Sequence, residues 1–297
     1  MPAAFTESVV EEAVLGWLGE MGYAVAAGPD LAPEGATPER ATFADVVLVG
    51  RLRAALTKIN PTIQPDAIEE AVRKVTHADT PSLIENNRRL HALLTDGVDV
   101  EVRRDDGSVA GDKVWLIDFA DPDANDFLAV NQFTVTEDRH TRRMDVVVFV
   151  NGLPLAVLEL KNPTAENATA RDAFQQLQTY KAELPTLFGT NVLLVASDGL
   201  EARVGTLTAD WERFMPWRTI DGQAVAPKGM PELDVLVKGV FARRRLLDLL
   251  RHFVVFEVDG PKVVKKLAGY HQYHAVNKAV NCTVAASAPD GDRKVGV

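Results

Sequence analysis

The stretch Met144-Asp-Val-Val-Val-Phe-Val-Asn-Gly-Leu-Pro-Leu-Ala-Val-Leu-Glu-Leu-Lys161 decides the fold, because it has the pattern of two apolar β-strands joined by an Asn-Gly turn. Each strand also carries charged residues where a buried sheet ordinarily has none. They are Asp145 in the first strand and Glu159 and Lys161 in the second. Burying such groups is costly unless an ion or a function compensates, so these three residues predict a functional site.

The relative position of the two acids depends on the turn between the strands. Side chains alternate along a strand, so Glu159 and Lys161 point to the same face. An undistorted two-residue Asn-Gly turn would leave Asp145 on the face opposite Glu159. A shift of one residue restores a shared face. Either a three-residue loop with a left-handed Gly152 or a bulge near Pro154 provides this shift, and we expect one of the two.

Two carboxylates on one face suit a hard divalent cation such as Mg²⁺, which prefers oxygen ligands and keeps several bound waters. The cation can polarise a phosphoryl oxygen and lower the pKa of a bound water, while Lys161 stabilises developing charge or orients that water. Such an arrangement cleaves phosphodiesters. The alternative is a solvated ion pair between Glu159 and Lys161 on an edge strand, which contributes little to stability.

The remaining sequence predicts an α/β fold with a mixed central sheet flanked by helices. Helical patterns cover about 8–21, 45–58, 66–76, 81–95, 168–183, 233–253 and 262–283. Strand patterns cover 98–104, 113–119, 126–136, 143–150, 154–160, 191–197 and 202–208, with a further short strand between 23 and 50. Breaks near 225–240 divide the chain into a domain of residues 1–235 and a helical segment of residues 236–297.

Composition excludes several classes of protein. The single cysteine, Cys282, allows neither a disulfide framework nor a multi-cysteine zinc site, which favours the cytoplasm. The sequence has no apolar run of transmembrane length and no signal-peptide pattern, so no membrane partner is expected. A net charge of −10 argues against a strongly basic nucleic-acid binder. Between 240 and 266 basic residues, Lys265 among them, outnumber acids, which indicates a basic surface or a solvated helix face.

The segment from Arg142 to Lys161, with its Asn-Gly-Leu-Pro-Leu phrase, resembles the restriction (R) subunit of type I restriction-modification enzymes, in the PD-(D/E)xK nuclease superfamily. The resemblance implies a restriction-endonuclease-like core with a metal site between two antiparallel strands. Asp145 and Glu159 would bind Mg²⁺, and Lys161 would assist the attacking water.

Other parts of the chain extend the resemblance. Gln176-Leu-Gln-Thr-Tyr180 resembles the family's Gln-x-x-x-Tyr motif, whose spacing puts Gln176 and Tyr180 on one helix face, able to position the DNA backbone. Glu11, in a helix followed by Gly22-Tyr23, resembles the acidic N-terminal helix of these nucleases and would supply a third carboxylate near the metal. Arg143, beside the aspartate, is a candidate for a phosphate contact or for a structural ion pair.

The segment 265–279 resembles the part of R subunits that opens an ATP-driven, helicase-type motor, where Gln272 would recognise adenine. The sequence contains no Gly-x-x-x-x-Gly-Lys-Ser/Thr loop, so an ATP site is expected only in a longer subunit. Residues 236–297 would then be the start of that motor.

The resemblance implies Mg²⁺-dependent cleavage of double-stranded DNA by the nuclease part of an R subunit. The longer subunit would translocate DNA using ATP and would work with methyltransferase and specificity subunits. An alternative from a different class is a motor-coupling and assembly module whose nuclease site is silent. A free-standing ATPase is disfavoured, since the phosphate-binding loop is absent from the sequence.

Overall fold

The computed structural model of the protein describes residues 7–103, 108–162, 168–260 and 262–294. The helices are α1 (Glu7–Glu20), α2 (Gly28–Leu31), α3 (Val49–Ile59), α4 (Pro65–Thr76), α5 (Leu83–Asp96), α6 (Ala170–Glu183), α7 (Glu232–Val240), α8 (Arg243–His252) and α9 (Tyr270–Ser287). The strands are β1 (Ala24–Ala27), β2 (Val98–Arg103), β3 (Val109–Val114), β4 (Phe127–Glu137), β5 (His140–Val150), β6 (Leu153–Leu160), β7 (Leu193–Ser197), β8 (Ala202–Gly205), β9 (Val254–Asp259) and β10 (Lys262–Leu267).

The central sheet is mixed, as the sequence predicted. Within the described ranges it has six strands in the order β1-β4-β5-β6-β7-β8. β1 runs parallel to β4 and β6 runs parallel to β7, whereas the other neighbouring strands are antiparallel. Every residue of β6 is buried, which explains why its sequence is apolar at nearly all positions and does not alternate.

Helices cover both faces of this sheet. On one face, Val14 of α1 belongs to the same apolar cluster as Val146 of β5 and Leu158 of β6. On the other face, α6 packs in a second cluster with Val147 and Val157 of the same two strands. The β5–β6 hairpin therefore lies in the interior of the protein.

The C-terminal part differs from the sequence prediction. A single helix over 262–283 is wrong, because residues 262–267 form β10 and pair antiparallel with β9 across a turn at Gly260, where φ is +55°. α9 begins only at Tyr270. The helix predicted over 233–253 is interrupted at Phe241, and the strand predicted over 113–119 lies at Val109–Val114. Lysine-rich β10 has few strand-favouring residues, so its pairing with β9 overrides local propensity.

Helices α7 and α8 pack on the same side of the sheet as α1, and Leu236 and Leu247 share the apolar cluster that contains Val14. The hydroxyl of Tyr23 donates a 2.7 Å hydrogen bond to the carbonyl of Phe241. The two parts of the chain are thus packed together, and a domain division at residues 235 and 236 stays a prediction. No helix in the described ranges is long and apolar enough to cross a membrane.

Candidate active site

The β5–β6 hairpin closes with a two-residue turn. Val150 pairs with Leu153, and the turn residues Asn151 and Gly152 have φ of +52° and +76°. Positive φ at both central residues is the geometry that an Asn-Gly hairpin turn favours, because it matches the twist of the flanking strands. The three-residue loop considered from the sequence is therefore not the device that shifts the register.

A bulge in β6 shifts the register instead. Phe149 pairs with Pro154, but Val148 pairs with Ala156, so Leu155 is an extra residue on β6. Proline has no N–H to donate to a ladder, and the pairing becomes irregular directly beside it. The prediction of a bulge near Pro154 is confirmed.

The bulge brings the two acids opposite each other. Val146 pairs with Leu158, so the preceding residue of β5, Asp145, lies opposite the following residue of β6, Glu159. A regular two-residue hairpin would have paired Asp145 with Leu158 instead. The fold therefore uses a local irregularity to bring two carboxylates into register in the middle of the sheet.

Both acids are buried and hydrogen-bonded at the end of β6. Asp145 is 8% exposed, and its Oδ2 accepts a 2.7 Å hydrogen bond from the backbone N–H of Leu160. Glu159 is fully buried, and its Oε1 lies 2.8 Å from Nζ of Lys161. The backbone N–H of Lys161 donates to the carbonyl of Ser197 in β7. The lysine therefore stays anchored to the sheet while its ammonium group lies beside the glutamate.

The predicted motif on α6 lies close to the same acids. The amide of Gln176 donates to the hydroxyl of Tyr180, and that hydroxyl donates to the carbonyl of Arg143 at 3.4 Å. Burial raises the pKa of Tyr180 above its ordinary value, and the negative charges of Glu159 and Asp145 raise it further. The phenol of Tyr180 is thus within electrostatic reach of both carboxylates.

An ion pair at the far end of α6 joins this helix to β5. Nε of Arg142 lies 2.7 Å from Glu183, and a second hydrogen bond of 3.0 Å completes a bidentate pair. The adjacent Arg143 is exposed and forms no salt bridge with any residue in the described ranges. The ion pair at this position therefore belongs to Arg142, and the guanidinium of Arg143 is exposed on the strand next to Asp145.

Glu11 belongs to α1 and is bound to β4, the strand next to β5. It is 5% exposed, and both of its carboxylate oxygens accept 2.7 Å hydrogen bonds from the amide of Gln132 in β4. The residues on either side of Gln132 pair with the residues on either side of Asp145, so Gln132 lies opposite Asp145. The structure thus brings Asp145, Glu159 and Lys161 together on the hairpin, and it binds Glu11 to the neighbouring strand β4.

The donor set fits a hard cation. The described part of the chain has no group of three or more His, Cys, Asp or Glu side chains arranged to enclose a metal. Mg²⁺ does not need such a cage, because it binds through one or two carboxylates and completes its octahedron with water and substrate phosphate. The facing carboxylates of Asp145 and Glu159 satisfy that requirement, and each carboxylate oxygen has more than one lone pair.

Comparison with known proteins identifies the family of this chain. A family model described as the N terminus of the type I restriction enzyme R protein (HSDR_N) matches residues 4–213. The chain belongs to this family. We refer to it below as the R-protein N-terminal family.

Relatives are similar over nearly the whole chain. The HindI endonuclease subunit of a type I restriction enzyme from Haemophilus influenzae is 39% identical over 295 residues, which cover 98% of this chain and 28% of that protein. A putative MjaIXP endonuclease subunit from Methanocaldococcus jannaschii is 33% identical over 97% of this chain and 29% of its own length. The chain therefore spans less than a third of these relatives, and the residues discussed above lie within the matched part.

Gln272 is separate from the hairpin site. It is exposed near the start of α9, where its Oε1 accepts a 2.9 Å hydrogen bond from the N–H of Gly269. Together with His271 and Lys266 it lines a cavity of about 620 Å³ that includes none of the predicted nuclease residues. For this member of the R-protein N-terminal family, adenine recognition by Gln272 stays a prediction.

Two residues of structural interest could not be identified by sequence reasoning. Lys265, which was counted toward a basic surface, is 1% exposed and donates to Oδ1 of Asn87 at 2.9 Å and to the carbonyl of Asn191 at 2.6 Å. Burial lowers the pKa of Lys265 to about 7. The only sequence signal for the burial of Lys265 was the alternation of side chains along β10, in which every second residue points to the same face. Gln132 carried no signal at all, because its role depends on a backbone conformation that sequence patterns do not reveal.

Proposed function

We propose that this chain is the nuclease part of a type I restriction R subunit and that it cleaves double-stranded DNA with Mg²⁺ bound at Asp145 and Glu159. The observation that supports this most is the bulge at Leu155, which brings the two acids opposite each other. Bulges disrupt a ladder and occur preferentially where a side chain must be redirected, often beside active sites. Burying two carboxylates there is costly unless a cation or other partners compensate.

Each residue has a definite task in this proposal. Bound Mg²⁺ supplies a Lewis acid that polarises a phosphoryl oxygen and favours ionisation of a bound water. Asp145 is held in position by the N–H of Leu160. Lys161 orients Glu159 and, from the same position, can hold a water for attack or stabilise charge that develops on the phosphate.

Residues at the edge of the site would position DNA. Gln176 and Tyr180 are hydrogen-bonded to each other, and their amide and hydroxyl groups suit phosphate oxygens. Arg143 is exposed beside Asp145 and would add positive charge along the DNA backbone. These contacts carry no sequence information, which fits cleavage of DNA that other subunits select.

The longer protein would add the remaining activities. We propose that a complete subunit uses ATP to translocate DNA, with Gln272 at the adenine site, and acts in the cytoplasm with methyltransferase and specificity subunits. Two relatives that are more than three times as long as the matched segment support a longer subunit.

A second candidate function is a motor-coupling and assembly module with a silent nuclease site. It is supported by the attachment of the C-terminal segment to the sheet, through the buried Lys265 and through the hydrogen bond between Tyr23 and Phe241. Titration with Mg²⁺ or Mn²⁺ separates the two functions. An active site requires a cation site that is lost in Glu159→Ala, whereas equal binding by both proteins favours the assembly role.

The decisive experiment is a plasmid-nicking assay of the intact subunit with its partner subunits. We expect Lys161→Ala to lower the cutting rate by about 100-fold or more, since a preorganised charge at the reacting phosphate is removed. ATP-driven translocation should continue in the same preparation. The matched control is Lys58→Ala, an exposed lysine that bonds only a backbone carbonyl, at Asp123. Undiminished cutting by Lys161→Ala would contradict the proposal.

A further inference from the structure

Gln132 interrupts the regular backbone of β4. Its φ is +54°, in the left-handed region that residues other than glycine rarely adopt. The alternation of the strand shifts there by one residue. Four residues on both sides of the interruption therefore belong to the same apolar cluster, namely Leu128, Val130, Phe133 and Val135. As a result, the side chains of Asn131 and Gln132 both reach the α1 side of the sheet.

The surrounding structure enforces this conformation. A Cβ atom on Gly28 would overlap the backbone carbonyl of Gln132, so the start of α2 lies directly against β4 at this point. A left-handed backbone at a residue other than glycine is energetically unfavourable and persists only where its surroundings determine it. Such residues are concentrated at functional sites. The left-handed backbone of Gln132 therefore indicates a function for its side chain.

The side chain of Gln132 binds the carboxylate of Glu11. The amide of Gln132 lies 2.7 Å from each carboxylate oxygen, and the amide of Asn131 adds a 3.5 Å contact. An amide carries no net charge, so these bonds orient the carboxylate without neutralising it.

The location of this pair connects it to the candidate metal site. Gln132 and Asp145 occupy facing positions of the neighbouring strands β4 and β5, since Asn131 pairs with Val146 and Phe133 with Met144, and neighbouring strands lie about 4.8 Å apart. We propose that Gln132 is a positioning residue that orients the carboxylate of Glu11 beside the cation site, so that Glu11 strengthens cation binding. This inference rests on the proposed function. It adds a residue that supports the metal through another side chain.

The test is a Mn²⁺ titration of the intact chain by calorimetry. Groups that orient metal-binding residues typically contribute 10- to 100-fold to metal affinity, so Gln132→Leu should weaken Mn²⁺ binding by about that factor. Gln132→Gly should weaken it equally, although glycine accepts the left-handed backbone without strain. The swapped pair Glu11→Gln with Gln132→Glu restores one amide and one carboxylate, and should recover affinity to within a few-fold of wild type.

The control variant and the results that would contradict the inference can be told apart. Gln178→Leu removes an amide that donates to its own helix, at Phe174, and should bind Mn²⁺ as wild type does. Wild-type affinity in both Gln132→Leu and Gln132→Gly would overturn the inference, and so would a swapped pair as weak as the single variants. If Glu159→Ala also binds normally, the proposed metal site itself fails. If only Glu159→Ala loses binding, the metal site stands and Gln132 has no part in it.

Discussion

Replacing Lys265 with methionine should change how the stability of this protein depends on pH. The ammonium group is 1% exposed and bonds only neutral oxygens, at Asn87 and Asn191. It forms no salt bridge with any residue in the described ranges. A buried lysine in such surroundings favours its neutral form, because the charged form loses its hydration. Methionine fills a similar volume and does not titrate.

The size of the effect follows from the pKa. Burial lowers the pKa of Lys265 from an ordinary 10.5 to about 7. Between these values the unfolded chain holds a proton that the folded protein has released, so the free energy of unfolding rises with pH by about 1.36 kcal/mol per pH unit. From pH 7 to pH 9.5 the rise is about 3 kcal/mol, and below pH 7 this contribution is flat.

Proton binding at the neighbouring His91 does not contribute to this change in the free energy of unfolding. Burial, and then the charge of Lys265, lower the pKa of His91 to about 3. The folded and unfolded forms therefore bind different numbers of protons at His91 only from about pH 3 to pH 6.5. Above pH 7 the imidazole is neutral in both forms.

Urea unfolding of wild type and Lys265→Met at pH 7, 8 and 9.5 measures this difference. We expect the stability of wild type relative to the variant to increase by about 3 kcal/mol across the range. Lys262→Met is the matched control, because this lysine is exposed on the same strand and should not alter the pH dependence. Parallel pH curves for wild type and Lys265→Met would refute the reasoning.

Three further predictions test the fold around the site. Gly152→Ala should lower the free energy of unfolding by about 2 kcal/mol, because a Cβ there lies 2.5 Å from the carbonyl oxygen of Leu48 and φ is +76°; equal stability in urea unfolding would contradict this. Tyr23→Phe should cost about 1–3 kcal/mol in the same assay, since it leaves the buried carbonyl of Phe241 without its donor, and an unchanged unfolding midpoint would argue against it. Deleting the bulged Leu155 should move the glutamate of β6 out of register with the aspartate of β5 and abolish Mn²⁺ binding, which calorimetry checks; intact binding would show that the bulge is dispensable.

The sequence was informative where one local rule governs the structure. Alternating side chains and the Asn-Gly turn were enough to show that Asp145 and Glu159 could face one another only after a shift of one residue. They could not show whether the loop or the strand supplies that shift. The bulge at Leu155 depends on how Pro154 is tolerated beside β5, which is a tertiary question.

Other features were not predicted from the sequence. The segment of β10 was predicted as a helix, because lysines do not favour strands. Its pairing with β9 makes it a strand in the structure. The burial of Lys265 depends on acceptors in Asn87 and Asn191, which are 178 and 74 residues away in sequence. The left-handed Gln132 depends on the close approach of Gly28. The partners of Lys265 and Gln132 lie far away in the sequence, so local patterns could not identify these contacts.

The proposed function requires Asp145 and Glu159 to hold one divalent cation together. Its most direct test is anomalous diffraction from crystals of the intact chain grown with Mn²⁺. We expect one strong anomalous peak within about 2.5 Å of an oxygen from each carboxylate. A peak that contacts only one of the two acids, or none at either acid at saturating Mn²⁺, would contradict it.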